Sequence, residues 1–150
     1  MNAARRFHIL LVDDEPGDTH LLRLALVRSG LPLELHGVHD CYDALNFLKR
    51  EGAAFRTAPR PDLILLDLKM PGRGGLTTLQ AIKQIEAVRP IPVVVVTTST
   101  LESDIATAYH LGAAGYLAKT ADLTAFIETI GGMCAYWFRL VRLPEPPVAT

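Results

Sequence analysis

Hydrophobic residues fall in two patterns along this chain. Short unbroken apolar runs alternate with longer stretches whose apolar residues recur at helical spacing. Phe7-His8-Ile9-Leu10-Leu11-Val12, Leu63-Ile64-Leu65-Leu66 and Val93-Val94-Val95-Val96 are the clearest runs. Runs of this kind read as strands buried on both faces, as inside a parallel sheet. Leu33 to Val38 instead alternates apolar and polar side chains, as a half-buried edge strand does. Ala113 to Leu117 makes a short further strand.

Helical stretches separate the strands. Asp18 is a good N-cap for a first helix with Leu21, Leu22, Leu24, Ala25 and Leu26, stopping at Ser29-Gly30. Asp40 can cap a second, with Ala44, Leu45, Phe47 and Leu48, before a loop over residues 52–61. A flexible loop over residues 71–75 precedes a third helix with the stripe Leu76, Leu79, Ile82, Ile85 and Val88. Thr100 or Ser103 caps a fourth, through Ala106, Ala108 and Leu111 to Gly112. Thr120 or Asp122 caps the last. Five strand–helix alternations predict an α/β fold, a doubly wound parallel sheet with right-handed crossovers. Periodicity alone does not order the strands.

The polar residues that end the strands carry the chemistry. The first strand ends in Asp13-Asp14, the third in Asp67, the fourth in Thr97 and the fifth in Ala118-Lys119. Asp67 on its own could simply cap a strand. In a parallel sheet, however, all these ends converge on the edge where open α/β sheets place their sites. Crowded carboxylates repel one another, and a hard divalent cation such as Mg²⁺ relieves the repulsion while keeping room for a phosphate oxygen. An ionised carboxylate needs no general base to attack phosphorus. Asp67 is therefore the candidate nucleophile. Lys119 can neutralise the phosphoryl oxygens and the Thr97 hydroxyl can donate to one of them.

Composition narrows the classes. Of 150 residues, 49% are hydrophobic, enough for one sizeable core, and the net charge of −1 lacks the footprint of a nucleic-acid binder. No apolar run reaches membrane-spanning length, and Met1 to Arg6 is not followed by a signal-peptide core. Cys41 and Cys134 lie far apart in no metal-type spacing, which fits a reducing cytoplasm. The five histidines form no evident ligand cluster and read as surface or half-buried side chains.

Val12-Asp13-Asp14, Leu66-Asp67, Val96-Thr97 and Tyr116-Leu117-Ala118-Lys119 resemble the signatures of the receiver domain of two-component response regulators. The resemblance covers about residues 7–141. It implies a flavodoxin-like fold of strand order 2-1-3-4-5 and phosphorylation of Asp67 by a sensor histidine kinase. Its metal set is Asp13, Asp14, Asp67 and the Lys69 backbone carbonyl, and its switch pair is Thr97 and Tyr116. Asp14-Glu15-Pro16-Gly17-Asp18, Pro61 to Leu68, Ile91 to Ser99 and Tyr136 to Pro144 are further similar to single-domain regulators that partner bacterial phytochromes, which are usually dimeric. On this reading residues 1–143 form one receiver, 144–150 form a Pro-rich flexible tail, and the signal leaves by protein contact rather than through an output domain.

Three positions depart from the family pattern. Thr120 stands where proline usually follows the lysine, and a cis bond there would cost about 3 kcal/mol. Gly74 replaces a frequent acid, and Lys69 a frequent small amide two residues after the nucleophile. Lys69 also argues against a phosphohydrolase of the haloacid dehalogenase type, which keeps a general acid there. The expectation is a phosphoacceptor and not an enzyme turning over a separate substrate. A degenerate receiver that only docks partners is the other alternative.

The last helix is broadly apolar: Phe126, Ile130, Met133, Tyr136, Trp137, Leu140 and Val141 exceed the stripe that one sheet face requires. A homodimer through Phe126, Ile130, Met133 and Trp137 accounts for this, and so does folding of these aromatics onto the chain's own core. Gly131-Gly132 inside the helix implies close approach of another backbone, or a kink.

Overall fold

A computed structural model describes residues 6–70 and 74–144. Strands β1 (Phe7–Val12), β2 (Leu33–Val38), β3 (Leu63–Leu66), β4 (Val93–Thr97) and β5 (Gly115–Ala118) alternate with helices α1 (Pro16–Arg28), α2 (Cys41–Lys49), α3 (Gly75–Gln84), α4 (Glu102–His110) and α5 (Leu123–Ala135). The strands form one parallel sheet in the order β2-β1-β3-β4-β5. This is the flavodoxin-like order that the resemblance implies.

The apolar runs divide between two cores because successive side chains of a strand point to opposite faces. Leu10, Val12, Ile64, Leu66, Val93 and Val95 pack under α2, α3 and α4 with Phe47, Leu79, Ile82 and Ala108. Ile9, Leu11, Leu63, Leu65, Val94 and Val96 pack under α1 and α5 with Leu22, Leu26, Phe126 and Ile130. Both faces are covered, so β3 is apolar at every position. Edge strand β2 is mostly half-buried, as its alternation predicts.

Caps and boundaries differ in detail from the pattern. Asp40 and Asp122 cap α2 and α5 by accepting from Asp43 N–H and Ala125 N–H. Glu15 caps α1, accepting from Gly17 N–H, because Pro16 starts that helix two residues before Asp18. Neither Thr100 nor Ser103 caps α4, whose N-cap is Leu101. The Ser99 hydroxyl accepts from Leu101 N–H just before that helix. The third helix ends at Gln84, and Ile85 and Val88 lie in the turns that follow. Those turns keep both side chains against the core, so the apolar spacing outlasts the helix. The Lys83 ammonium donates to the Arg89 and Ile91 carbonyls and holds the turns in place. The fifth strand begins at Gly115, because Ala113 N–H still bonds to Ala108 in the end of α4.

The loop expected over residues 71–75 lies largely outside the described residues, as do 145–150 of the tail. Gly75, by contrast, opens α3 directly beneath Asp67. A Cβ there would collide with the Asp67 carbonyl oxygen and the Leu68 Cα. No cis peptide bond occurs among the described residues, so Lys119–Thr120 is trans.

The dimer residues expected in the last helix need correction. Phe126, Ile130 and Met133 are buried in the chain's own core, and Trp137 packs half-buried against it. The helix continues as a π-helical segment (Tyr136–Leu140), where the Phe138 ring meets Phe7 at 4.5 Å between centroids. Much of the apolar excess is therefore spent on the sheet. The apolar side chains left exposed in this region are Leu123, Tyr136 and Leu140. Gly131 and Gly132 continue the helix, and no atom outside it lies within 4 Å of a Cβ built at either. Neither a close backbone nor a break explains them.

Gly132→Ala should accordingly stabilise the protein by about 0.5–1 kcal/mol through helix propensity alone. Urea unfolding measures this, and a loss of stability would mean that a second backbone packs there.

Candidate functional site

Four strand ends meet at the C-terminal edge of the sheet. Asp13 follows β1, Asp67 follows β3, Thr97 ends β4 and Lys119 follows β5. Main-chain bonds fix them in place. Asp13 N–H donates to the Val38 carbonyl, Asp67 N–H to Val12 and Lys119 N–H to Thr97. Asp13, Asp67 and Thr97 are 1%, 5% and 0% exposed, so the site is sunk below the surface.

The Lys119 ammonium is the hub. It donates to Asp13 Oδ2 at 2.8 Å, to Asp18 Oδ2 at 2.6 Å and to Asp67 Oδ2 at 3.2 Å. The other Asp13 oxygen accepts from Glu15 N–H and the other Asp67 oxygen from Lys69 N–H. Burial works against the Lys119 charge, but hydrogen bonds to Asp13 and then Asp18 outweigh it, and its pKa lies above the ordinary lysine range. Asp13 shifts upward. Burial lifts it, and hydrogen bonds from Lys119 and Glu15 offset only part of the rise. Asp13 is the deeper member of that pair, and it shares the ammonium with two other acids.

The expected acid pair is split. Asp13 turns inward, while Asp14, one residue on, is exposed and lies outside the gathered carboxylates. Asp18 joins Asp13 and Asp67 instead, from the first turn of α1, with ligand oxygens all within 4.8 Å of one another. The sequence pattern assigns Asp18 only to a cap. The one signal for its role is an acid in the first turn of a helix that starts at the sheet edge.

The Thr97 hydroxyl is fully buried and has no hydrogen-bond partner. Tyr116, half-buried on β5, donates its hydroxyl to the Ser99 carbonyl at 2.9 Å. The Ser99 hydroxyl in turn donates to Asp104 at 2.5 Å. This pins the segment between β4 and α4 to β5. The Lys69 side chain is exposed beside the site.

The site geometry and the sheet order agree with one family, and the sequence comparison decides it. A model of the response regulator receiver domain matches residues 9–131. The chain is a response regulator receiver domain. This receiver is 38% identical to response regulator Rcp1 of Synechocystis sp. over 136 residues, 91% of this chain and 92% of that protein. The Mn²⁺-bound form of Rcp1 superposes with a TM-score of 0.86 at 37% identity, covering 93% of this chain and 99% of that one. The phosphorylated cyanobacterial phytochrome response regulator RcpA superposes with a TM-score of 0.89 at 37% identity, covering 94% and 100%. The bacteriophytochrome response regulator RtBRR gives 0.73 at 39% identity, covering 95% and 85%. The receiver is thus related to phytochrome response regulators. Among its described residues no helix is long and apolar enough to cross a membrane.

One expectation about the histidines fails. His8 and His36 approach to 3.0 Å on neighbouring strands, with Glu34 beside them. They stand at the opposite end of the sheet from Asp67.

Lys119→Met leaves buried Asp13 and Asp67 without their cation. It should cost about 3–5 kcal/mol in urea unfolding at pH 7. The folded pKa of Lys119 lies above its unfolded value. Its contribution is therefore whole below about pH 10.4 and is lost as pH rises through the folded value. The variant should lack that alkaline decline.

Proposed function

We propose that this receiver accepts a phosphoryl group on Asp67 from the phosphohistidine of a sensor kinase, and that the kinase is a phytochrome-type light sensor. The buried, unpartnered Thr97 hydroxyl, at the same sheet edge as the Asp67 carboxylate that Lys119 holds, supports this best. In the transfer an Asp67 oxygen forms the new O–P bond and the N–P bond of phosphohistidine breaks. The leaving imidazole keeps the electron pair and takes up a proton. Lys69 N–H orients the Asp67 carboxylate. The Lys119 ammonium neutralises one phosphoryl oxygen, and the Thr97 hydroxyl donates to another.

The donor set fits Mg²⁺. Carboxylate oxygens gathered within 4.8 Å are the ligands a hard cation takes. Asp13 and Asp67 would hold it, with Asp14 and the Lys69 carbonyl completing the family's set. When bound, Mg²⁺ supplies positive charge against the incoming phosphoryl oxygens. Tyr116 serves as the switch, since its bond to the Ser99 carbonyl couples β5 to the segment that carries Thr97. The phytochrome partnership rests on the likeness to the phytochrome response regulator RcpA and the bacteriophytochrome response regulator RtBRR. A homodimer through the exposed Leu123, Tyr136 and Leu140 belongs to the same reading, as does one receiver unit over residues 1–143 that works in the cytoplasm, away from nucleic acid and membrane. The protein catalyses only its own phosphorylation and slow dephosphorylation.

Acetyl phosphate with Mg²⁺ should add one phosphoryl group, seen by intact mass, and Asp67→Asn should abolish it. No adduct from acetyl phosphate or from a phytochrome kinase would leave a docking module. Rapid turnover of phosphate esters would point to a hydrolase.

Thr97→Val removes a buried unpaired hydroxyl. It should leave stability unchanged or raise it by about 1 kcal/mol, while slowing adduct formation. A stability loss well beyond that range would show that Thr97 serves structure instead.

A further inference from the structure

A second cluster of ligand-bearing side chains sits at the other end of β1. In the parallel register His8 lies opposite Glu34 and Leu10 opposite His36. Residues paired this way, and residues two apart on a strand, point to the same face. His8, Glu34 and His36 therefore share one face of the β1–β2 ribbon, the face covered by α2. His8 Nδ1 is 3.0 Å from His36 Nε2 and 3.7 Å from Glu34 Oε2. One ligand atom from each residue lies within 4.8 Å of the others.

We propose that His8, Glu34 and His36 form a binding site for a borderline transition-metal ion, Zn²⁺ in the first instance. Three observations carry it. Two imidazoles and one carboxylate are a donor set that suits Zn²⁺ and not Mg²⁺. Zn–ligand bonds of about 2.0–2.1 Å in a tetrahedron place neighbouring donor atoms about 3.3 Å apart. The two separations in the cluster, 3.0 and 3.7 Å, bracket that value. Finally, the site is both braced and open. The Phe47 ring lies 5.5 Å from the His36 ring and walls one side, while the Glu34 side chain is 45% exposed and leaves an entry path. His36 also holds its proton less tightly than a free histidine, through burial first, with Glu34 acting in the other direction. The neutral ring is the form that ligates.

The site is separate from the acidic one. Asp13 lies five residue steps along the chain from His8, about 16 Å of strand. An ion here would tie the edge strand β2 to β1 through side chains, in addition to the main-chain ladder.

The test is calorimetric titration of tag-free full-length protein with Zn²⁺ in a large excess of Mg²⁺, which keeps the acidic site occupied. Co²⁺ absorption reports the ligand geometry. The expected result is one equivalent of Zn²⁺ and intense tetrahedral Co²⁺ bands. His8→Gln and His36→Gln should each weaken binding at least about tenfold, and Asp13→Asn should not. Far-UV circular dichroism checks that each variant folds, and either histidine variant suffices if the other does not. No Zn²⁺ uptake in excess Mg²⁺ would overturn the proposal and leave the histidine contact as a hydrogen bond alone. Uptake that survives both histidine changes and is lost in Asp13→Asn would overturn it equally.

Discussion

The Lys119 ammonium ties together segments that are far apart in the chain. Asp13 from β1, Asp18 from α1 and Asp67 from β3 all meet it, and it comes itself from the end of β5. Two of these carboxylates are almost fully buried. Each of them removed from water alone would cost several kcal/mol, and a shared cation with main-chain donors on the remaining oxygens offsets that. The arrangement works only if β1, β3 and β5 end at the same height. That requirement fixes the register of the sheet at this edge. Gly75, at the start of α3, lies directly against the Asp67 and Leu68 main chain and leaves no room there for a side chain.

The residues of this cluster differ in how far the sequence reveals them. Asp13, Asp67, Thr97 and Lys119 each follow or end an apolar run, and a parallel sheet brings such positions together whatever the strand order. Strand order itself came only through the family resemblance, because periodicity carries no information on neighbours. Asp18 stayed hidden since its place depends on how α1 leans over the sheet edge, a tertiary matter. The end of α3 stayed hidden for a different reason. Turns after Gln84 can present Ile85 and Val88 to the core as well as a helix can. The breadth of the last helix was legible as an excess of apolar surface, but not its destination. Two core packings draw on the same residue types, and only the fold shows that Phe126, Ile130 and Met133 face inward.

Thr97 illustrates a tension between stability and the proposed chemistry. A buried hydroxyl without a partner costs roughly 1–3 kcal/mol. Ser99, two residues on, is also buried, yet its hydroxyl is used twice, donating to Asp104 and accepting from Leu101 N–H. The contrast argues that local geometry can satisfy hydroxyls in this segment. An open donor at Thr97 suits an acceptor that arrives from outside, as a phosphoryl oxygen would. Tyr116 reinforces the point, because its own hydroxyl is committed to the Ser99 carbonyl and leaves Thr97 alone.

The two ends of β1 then present contrasting ligand chemistry from one strand. At the C-terminal end the donors are carboxylate oxygens with an ammonium among them, a setting that favours a hard, strongly charged cation and a phosphoryl group. At the N-terminal end the donors are mainly imidazole nitrogens against an aromatic wall, a setting in which a hard cation gains little. Selectivity between such sites comes from donor type and geometry more than from depth or total charge. The histidine set is not visible as a motif, because its residues are brought together only by the pairing of β1 with β2. A shift of β2 by one residue against β1 would send Glu34 and His36 to the opposite face and scatter the histidine set. The parallel register that buries the core is thus the same constraint that brings both sets of ligands together.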